Sequence, residues 1–414
     1  MRLLVPDVAR GLALLGIALA NAPTVWFIDD KTERADFFGG ATTTLDDATV
    51  IGTAVTTHMR GLPMFSTLLG FGIGLIALSL WKKGFPLPQA RKVLLKRYGF
   101  LAVLGALHST FIFVGDIMFY YGMCGMLFAA LLTVSNKVLK RFAYAILTIS
   151  VVGSILLAAL SGGSLEEIPQ SGLLDLIEPH PDTYGGLVLE NFLATLLAIF
   201  VLPLMAWDIV PVMLIGFVWA RQGTLTNPTE HRRELYTWLV LGAIIAFGVG
   251  IPWGLGAIGV LPENIYLAFE ILNLYAGVLT GPAILAFLTL ILHKTQERVN
   301  AGARVPLALR IPAALGKRSM SGYIFQSLAF AVVAYPFMLG LDLDAFGMAV
   351  VATTIWVISL ALAWGWEMAG WRGPFEILHR RLSYGPAGTP QLTSNPHAPA
   401  TQNNASQAIP PQPM

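Results

Sequence analysis

The stretch that decides the fold is residues 346–370, FGMAVVATTIWVISLALAWGWEMAG, in which the only charged side chain is Glu367. An α-helix rises about 1.5 Å per residue, so roughly 20 apolar residues cross the hydrocarbon core of a bilayer. A run of this length and apolarity predicts a transmembrane helix. Trp371, just after the run, is an expected anchor at the membrane interface, as is Trp26.

Nine further stretches meet the same criterion, so the chain is predicted to be all-α, a polytopic membrane helical bundle with about ten transmembrane helices. The sixth stretch is too long for one plain helix, and Pro203 and Pro211 bracket Trp207 and Asp208 inside it. We therefore expect a broken helix or an amphipathic segment there. The ten predicted spans are 8–28, 52–80, 98–115, 117–134, 142–160, 188–220, 235–260, 266–292, 321–341 and 346–370.

The composition indicates the same class of protein. The 414 residues are 55% hydrophobic and 12% charged, whereas soluble domains carry about 25% charged residues. This excludes two or three soluble domains, and the single Cys124 excludes a disulfide scaffold. The net charge of +2 does not favour nucleic-acid binding. Ala18-Leu19-Ala20 resembles a signal-peptide cleavage site, but Asp7 and Arg10 interrupt the apolar region that such a peptide needs, so we expect the segment to be retained.

Charged residues are distributed very unevenly between the two sides of the predicted bundle. The N-terminal end and the loops 81–97, 135–141, 221–234, 293–319 and 371–385 hold 23 of the 26 Lys and Arg residues. The positive-inside rule therefore predicts that both termini are cytoplasmic. We assign residues 1–385 to one transmembrane domain. Residues 386–414 contain no Asp, Glu, Lys or Arg and are predicted to be a disordered cytoplasmic tail.

Three polar residues of the first span share one helix face. Asp7 and Arg10 are three residues apart, and Asn21 points about 20° from the direction of Arg10 at a rise of roughly 16 Å. The pattern is typical either of a cap pair with an interhelical hydrogen bond or of a lined passage from the inner face toward the outer leaflet. Both interpretations remain open.

Two histidines lie in or near the membrane. His58 and Arg60 stand at the outer end of the second span, where snorkelling of Arg60 to the interface is one explanation. His108 lies within the third span, and Asp116 closes that span. On a straight helix these two residues are about 12 Å apart, too far for a direct hydrogen bond, although both can face one cavity. An ionisable group at that depth indicates a functional site, unless His108 only bonds a neighbouring helix.

Several short motifs occur in a fixed order along the chain. The GxxxG spacing within residues 68–74 favours close helix packing. Gln326 follows Lys317 and Arg318 by about two turns and links a basic rim to the membrane interior. The full set of motifs is Asp7-Val-Ala-Arg10-Gly11 with Asn21, Leu68-Leu-Gly-Phe-Gly, Leu107-His108 with Gly115-Asp116 and Tyr121-Gly122, Met213-Leu-Ile-Gly216, Gly316-Lys-Arg318 with Tyr323 and Gln326, and Arg372-Gly-Pro374-Phe-Glu376 with Arg381-Leu.

In this order and spacing, the motifs resemble the bacterial YeiB-like family (domain of unknown function 418) over roughly residues 5–385, with its C-terminal motif region at about 230–385. That family is distantly similar to transmembrane acyltransferases that include heparan glucosaminide acetyltransferases. The Asp-x-x-Arg-Gly start and the following Asn of those enzymes match Asp7, Arg10 and Asn21. Their catalytic His has no counterpart here, because no histidine precedes His58. His58 and His108 are the substitutes.

The resemblance implies a membrane-bound O-acyltransferase of the bacterial plasma membrane and cell envelope. It would move an acyl group, expected to be acetyl, from cytoplasmic acetyl-CoA to a hydroxyl of a glycan or glycolipid at the outer face. An imidazole suits the base of such a transfer, which His108 or His58 would supply. The oxyanion donor would be Asn21 or Arg60, and Arg60 is also the predicted substrate-binding residue. Asp116 would orient the acceptor or reach the imidazole ring through water, and the predicted acyl-CoA site is Asp7, Arg10, Lys317, Arg318 and Gln326.

A transporter or exporter of a small or lipid-linked solute is the alternative, because ten spans, a broken sixth helix and the acidic residues Asp208 and Glu270 also suit transport. A scaffold or sensor without chemistry is a third interpretation. The expected partners are the lipid bilayer and a glycan or glycolipid acceptor, and a homodimer is compatible with the sequence. No metal site is expected, because no His, Cys or Asp pair has ligand spacing.

The charge asymmetry leads to a topology prediction. A reporter fused after Gly385 should register as cytoplasmic, and one inserted within residues 161–187 should register outside, because the basic loops are retained on the inner side. Paired phosphatase and fluorescent-protein fusions measure both positions. Opposite labelling of the two fusions would contradict the predicted orientation.

Overall fold

The computed structural model describes residues 3–27, 34–161 and 181–392. Within these ranges the chain is helical and forms no β-strand. The predicted tail from residue 393 onward and most of the loop 161–187 lie outside the described residues. The α-helices are α1 Leu4–Asn21, α2 Thr44–Thr56, α3 Gly61–Lys82, α4 Leu87–Phe111, α5 Ile117–Ala130, α6 Asn136–Ser161, α7 Tyr184–Gln222, α8 Arg232–Gly248, α9 Gly250–Ala257, α10 Glu263–Ala276, α11 Thr280–Asn300, α12 Leu307–Gly316, α13 Ser319–Ala334, α14 Ala345–Met368 and α15 Pro374–Tyr384.

Six helical segments of the described chain are long and apolar enough to cross a membrane. They confirm a helical membrane architecture, whereas the count of ten spans stays a prediction. The six segments are Leu4–Trp26, Thr44–Lys82, Asn136–Leu160, Arg232–Ala257, Glu263–Asn300 and Ala345–Met368. Shorter apolar helices accompany them at Ile117–Thr133, Tyr184–Phe200, Ile209–Gln222, Leu307–Gly316 and Ser319–Ala334.

The predicted second span, 52–80, is wrong as a single helix. Helix α2 ends at Thr56, and α3 begins at Gly61 after a turn in which Met59 has a φ of 57°. This left-handed conformation is rare outside glycine and interrupts the helical hydrogen bonds. The break leaves carbonyl groups at the end of α2 that need donors.

Of the two alternatives predicted for the sixth span, a broken helix or an amphipathic segment, the broken helix is wrong. Helix α7 runs without interruption for 39 residues, through Pro203 and Pro211. Proline removes one backbone donor but is tolerated in membrane helices, where neighbouring groups satisfy the freed carbonyl. At 1.5 Å per residue α7 is about 58 Å long, nearly twice the roughly 30 Å hydrocarbon core. Part of α7 must therefore tilt or extend beyond the core.

Small residues allow the central helices to touch at the backbone. A Cβ at Gly70 would overlap the backbone of Met213, and one at Gly216 would overlap the backbone of Thr67, so α3 and α7 lie in direct contact. Gly74 likewise faces Ala220, which confirms the close packing predicted from the GxxxG spacing. In membranes such close approach gains van der Waals contact where no hydrophobic force exists between helices.

Helices α4 and α5 form a tight antiparallel pair, again through glycines at the contact. A Cβ at Gly105 would overlap the backbone of Phe119, and a Cβ at Gly122 would overlap the backbone of Ala102. Glycine at both positions therefore determines how near α5 can come to α4. The connection between the two helices is only residues 112–116.

The basic segments converge on one end of the bundle, which we call the basic end. The amide of Leu4 in α1 donates to Gln296 of α11, and Lys140 of α6 pairs with Glu234 of α8 at 2.8 Å. At the opposite end, the amide of Phe346 donates to Asp46, which joins the starts of α2 and α14. The chain thus presents two chemically different ends, as its charge distribution indicates.

Helix α15 packs on the basic end through one face. His379 and Ser383, four residues apart, are buried against α4, and the Nε2 of His379 bonds the carbonyl of Arg97 at 2.8 Å. The other side of α15 exposes Leu378 and Leu382. Burial and the positive charge of Arg97 lower the pKa of His379 from 6.5 to about 4.

Replacing Gly105 with Ala should destabilise the protein by about 1–3 kcal/mol, because the methyl group forces α5 away from α4. The matched control is Gly99→Ala on the same helix, where a Cβ would meet only the sulfur of Met126 at 3.7 Å. That change should be neutral or slightly stabilising, because Ala favours helix. Thermal unfolding in detergent measures both, and equal midpoints for the two variants would contradict the close-contact explanation.

The docking of α15 should weaken as pH falls below about 6.5. In the undocked helix His379 titrates near 6.5, whereas the docked ring stays neutral until about pH 4. The undocked state therefore binds more protons between these values, and docking is lost progressively across that window. Hydrogen exchange of the α15 amides, corrected for intrinsic rates, should show less protection at pH 5 than at pH 7. A His379→Gln variant should lose this pH dependence; retained dependence would assign it to another group.

Candidate functional site

The site is built around a buried histidine–carboxylate pair at the turn between α4 and α5. The Nδ1 of His108 lies 2.6 Å from Oδ2 of Asp116, and the two side chains are 3% and 0% exposed. The second oxygen of Asp116 accepts a hydrogen bond from the amide of Phe119 at 2.7 Å. Asp116 is thus the N-cap of α5 as well as the partner of His108.

The distance of 12 Å predicted from a straight helix is wrong. Helix α4 ends at Phe111, one turn after His108, and the chain reverses before Asp116 begins α5. The reversal brings the ends of the two helices side by side, and the glycines at their interface let them approach. The adjacent spans 98–115 and 117–134 already implied such a reversal, so the two residues belong to different helices.

The hydrogen bond determines which nitrogen of His108 is available. With Asp116 ionised, its carboxylate only accepts, so Nδ1 of His108 would carry the hydrogen and Nε2 would present a lone pair. Nε2 is buried and has no hydrogen-bond partner among the residues of the described ranges. The ring of Tyr323 lies 5.3 Å from that of His108, and its hydroxyl accepts weakly from the amide of Ile117. The pair therefore has the geometry of an oriented general base.

An aromatic cluster packs beside the His108–Asp116 pair, at the end of the bundle opposite the basic end. Trp26 stacks on Phe113 at 4.2 Å and on Phe330 at 5.4 Å, and Phe113 meets the His108 ring edge-on at 6.3 Å. Trp26 is 2% exposed, so its prediction as an interface anchor is wrong. Trp371, in contrast, is 65% exposed.

Asn21 connects α1 to this cluster. It is the last residue of α1 and is followed by a π-helical turn, Ala22–Trp26, that carries Trp26 to Phe113. Single π-turns often occur at functional sites because they redirect side chains. Asn21 is half-buried and lies at the end of the bundle that holds His108. Arg10 lies eleven residues away, toward the basic end. The predicted polar face of α1 therefore runs along the helix, but Arg10 and Asn21 do not contact each other.

The other candidate histidine occupies a closed hydrophobic environment. His58 is 4% exposed and its ring contacts Phe37, Phe38 and Trp253 at centroid distances of 5.2, 4.8 and 5.7 Å. Its Nε2 also has no partner in the described part of the chain. However, the neighbouring charge is the cation of Arg60, which disfavours the protonated ring that a base must form. The geometry therefore favours His108 over His58.

Arg60 does not snorkel to the interface. It is 3% exposed, and its guanidinium donates to the carbonyls of Ala54, Val55 and His58 and to Oδ1 of Asn273 at 2.9 Å. These carbonyls belong to the end of α2 and the turn after it, where a cation is favoured by the helix dipole. Arg60 thus closes the break between α2 and α3, so the structure does not favour it as an oxyanion donor or substrate ligand.

The predicted acyl-CoA residues lie at the basic end but differ in availability. Arg10 is paired with Asp7 at 3.7 Å, with 27% of its side chain exposed. Lys317 is 28% exposed and binds Glu367 at 2.7 Å. Arg318, in contrast, is buried between Glu367 and the carbonyl of Trp371. Among these cations, Arg10 and Lys317 are therefore the accessible ones.

Gln326 is not at the basic rim. Its amide donates to the hydroxyl of Ser359 at 3.1 Å inside the α13–α14 interface, and both side chains are buried. A polar pair of this kind stabilises contact between two membrane helices. The structure therefore gives Gln326 an interhelical role in place of the predicted contact with acyl-CoA.

The sequence indicates most residues near His108 but not how they meet. It assigns no role to Tyr323, and it predicts that Trp26 lies at the membrane surface. The signal for the His108–Asp116 bond was the Gly115-Asp116 dipeptide before an apolar run, which is typical of a turn followed by an N-cap. No comparable signal predicted the stacking of Trp26, because it depends on three separate segments.

Comparison with known proteins gives a consistent result. The family described as "Protein of unknown function (DUF418)" matches residues 219–386. The chain is 24% identical over 402 residues to the "Uncharacterized protein YeiB" of Escherichia coli (strain K12), covering 92% of this chain and 96% of that one. It is 22% identical over 417 residues to the "Uncharacterized protein YxaH" of Bacillus subtilis (strain 168), covering 92% and 94%. No solved structure matches significantly. These matches support the resemblance of the chain to the YeiB-like DUF418 family, whose model covers its C-terminal part.

Proposed function

We propose that this protein is an integral-membrane acyltransferase that moves an acyl group, expected to be acetyl, from acyl-CoA to a hydroxyl of an envelope glycan or glycolipid. The observation that supports this proposal is the buried pair of His108 and Asp116, with the Nε2 of His108 left without a partner in the described chain. An oriented imidazole with a buried carboxylate is the arrangement that activates hydroxyl nucleophiles.

Each proton in the proposed reaction has an assigned place. The Nε2 of His108 removes the proton of the acceptor hydroxyl as its oxygen attacks the thioester carbonyl. Asp116 stabilises the imidazolium that forms, through the 2.6 Å hydrogen bond to Nδ1. The tetrahedral intermediate then expels the CoA thiolate, which takes the proton back from the imidazolium. Asn21 is the proposed donor to the oxyanion.

The donor would approach from the basic end. In the proposal Arg10, held by Asp7, and Lys317 meet the phosphates of acyl-CoA, since both are partly exposed there. Arg10 and Asn21 are separated by roughly 16 Å along α1, a span that the flexible pantetheine arm of CoA would cross. We place the basic end in the cytoplasm of a bacterial cell and the protein in the plasma membrane as a multi-pass chain, on the basis of the charge asymmetry.

Transport has less structural support. A broken sixth helix is one reason to consider transport, but α7 is continuous, so this reason does not apply. Glu270, another reason, accepts a hydrogen bond from Tyr266 at 3.2 Å within α10. The acyltransferase proposal therefore rests on a specific pair of side chains. The transporter interpretation rests on the number of spans and on Asp208, whose side chain lies outside the described ones.

The test uses the purified full-length protein with labelled acetyl-CoA and an envelope glycolipid extract, with products resolved by mass. His108→Gln should lower turnover by about 10² to 10⁴-fold, the usual contribution of a general base, while CoA binding persists. Asp116→Asn should lower turnover by a comparable factor without loss of fold, because Asn caps a helix nearly as well as Asp.

The matched control is His293→Gln, which removes a half-exposed histidine from α11 that pairs only weakly with Glu297 at 3.3 Å. This variant should retain full turnover. Loss of turnover only in a His58→Gln variant would transfer the base to His58. Full turnover in both the His108 and Asp116 variants would refute the proposed chemistry, whereas solute uptake without any acylated product would favour the transporter.

A further inference from the structure

Arginines from two helices and the turn before α15 meet at the basic end. The Nη1 of Arg97, on α4, donates to the hydroxyl of Tyr384 at 2.9 Å. Arg380 lies four residues before Tyr384 on α15, so the two side chains share a helix face and Arg97 stands beside Arg380. Arg372 is two residues before the start of α15. We call Arg97, Arg372 and Arg380 the arginine cluster.

The charges of Arg372 and Arg97 both act on Arg380. Partial burial, followed by the positive charges of Arg372 and then Arg97, lowers the pKa of Arg380. The charge of Arg97 also reaches His379 on the buried face of α15. Like charges are therefore held together at this end, which costs free energy unless an anion compensates them.

The neighbouring carboxylates do not supply that anion. Glu367 is bound to Lys317 and Arg318, and Glu376 accepts from the backbone amides of Met320 and Ser321. Within residues 3–27, 34–161 and 181–392, no carboxylate oxygen lies within 4.0 Å of the three guanidinium groups.

The donors of the arginine cluster are incompletely used by the protein. Arg380 donates Nε and Nη2 to one carbonyl, that of Gly388, at 3.2 and 3.1 Å. The Nε of Arg97 is buried and has no acceptor among the described residues. An unsatisfied buried donor costs about 1–3 kcal/mol, more when it is charged. A bound anion with several oxygens would compensate the charge repulsion and accept from the guanidinium donors that remain exposed.

We propose that Arg97, Arg372 and Arg380 form a binding site for a phosphate group at the basic end of the bundle. The planar guanidinium fork matches two phosphate oxygens at once, and three converging arginines suit a phosphate better than a single carboxylate. The site is distinct from the predicted CoA residues Arg10 and Lys317, and it does not depend on acyl transfer.

Two sources of this phosphate are compatible with the surroundings. One is a soluble phosphorylated ligand that arrives from the aqueous side. The other is the headgroup of an anionic phospholipid, since α15 exposes Leu378 and Leu382 beside its arginines in the manner of a helix at a membrane interface. The chemistry recognised is the same, so the experiment separates the sources.

The experiment uses the full-length protein in nanodiscs and the variant Arg380→Gln. In neutral phosphatidylcholine discs, inorganic phosphate is titrated by calorimetry; in a second arm, retention of phosphatidylglycerol over phosphatidylcholine is measured by native mass spectrometry. Arg380→Gln should weaken one of these two interactions about tenfold, or 1.4 kcal/mol. Loss in the first arm identifies a soluble ligand, and loss in the second identifies a lipid headgroup.

The matched control is Arg381→Gln, which removes the same charge from the next, exposed position of α15 about 100° around the helix. It should leave both interactions unchanged within about twofold. Arg380→Lys should lose part of the affinity, because it keeps the charge but not the fork. Equal effects of the Arg380 and Arg381 variants, or no effect of Arg380→Gln in either arm, would overturn the proposal.

Discussion

The arrangement of the candidate site depends on the backbone contact between α4 and α5. Gly105 and Gly122 let the two helices touch, and only at that separation does Asp116 reach both the start of α5 and the ring of His108. One carboxylate thereby satisfies orphan backbone donors and orients an imidazole. Its removal would expose two unsatisfied groups in an environment where each costs several kcal/mol. Helix packing and the proposed chemistry therefore share one side chain.

A second consequence of the packing is the separation of the two ends. The His108–Asp116 pair lies with Trp26 and Phe113 at one end, whereas the arginine cluster and the Lys317–Arg318–Glu367 group lie at the other. This polarity suits a reaction whose charged donor and whose acceptor come from opposite sides of a membrane. Arg60 and Gln326 belong to neither end and serve as internal hydrogen-bonding groups.

The wrong predictions for the His108–Asp116 distance, Arg60 and Trp26 have a common physical cause. Distances along an ideal helix do not hold here, because the chain turns after Phe111 and breaks after Thr56, and each break moves polar side chains into the interior. Arg60 is the clearest example, since a break one helical turn away converts a surface cation into a cap for exposed carbonyls. Trp26 shows the same effect, because a π-helical turn directs it inward onto Phe113.

The sequence by itself determined the helical membrane class, the segregation of basic residues to one end and the close contact at Gly70 and Gly74, as well as the resemblance to the family. These features follow from local properties: apolar length, charge counts and the absence of a side chain at glycine. Only the tertiary structure decided that His108 bonds Asp116 and that His58 is enclosed by aromatic rings. It also brought Arg97 beside Arg380. Such contacts join segments that are distant in the chain or that reverse direction, and their distances depend on how closely whole helices pack.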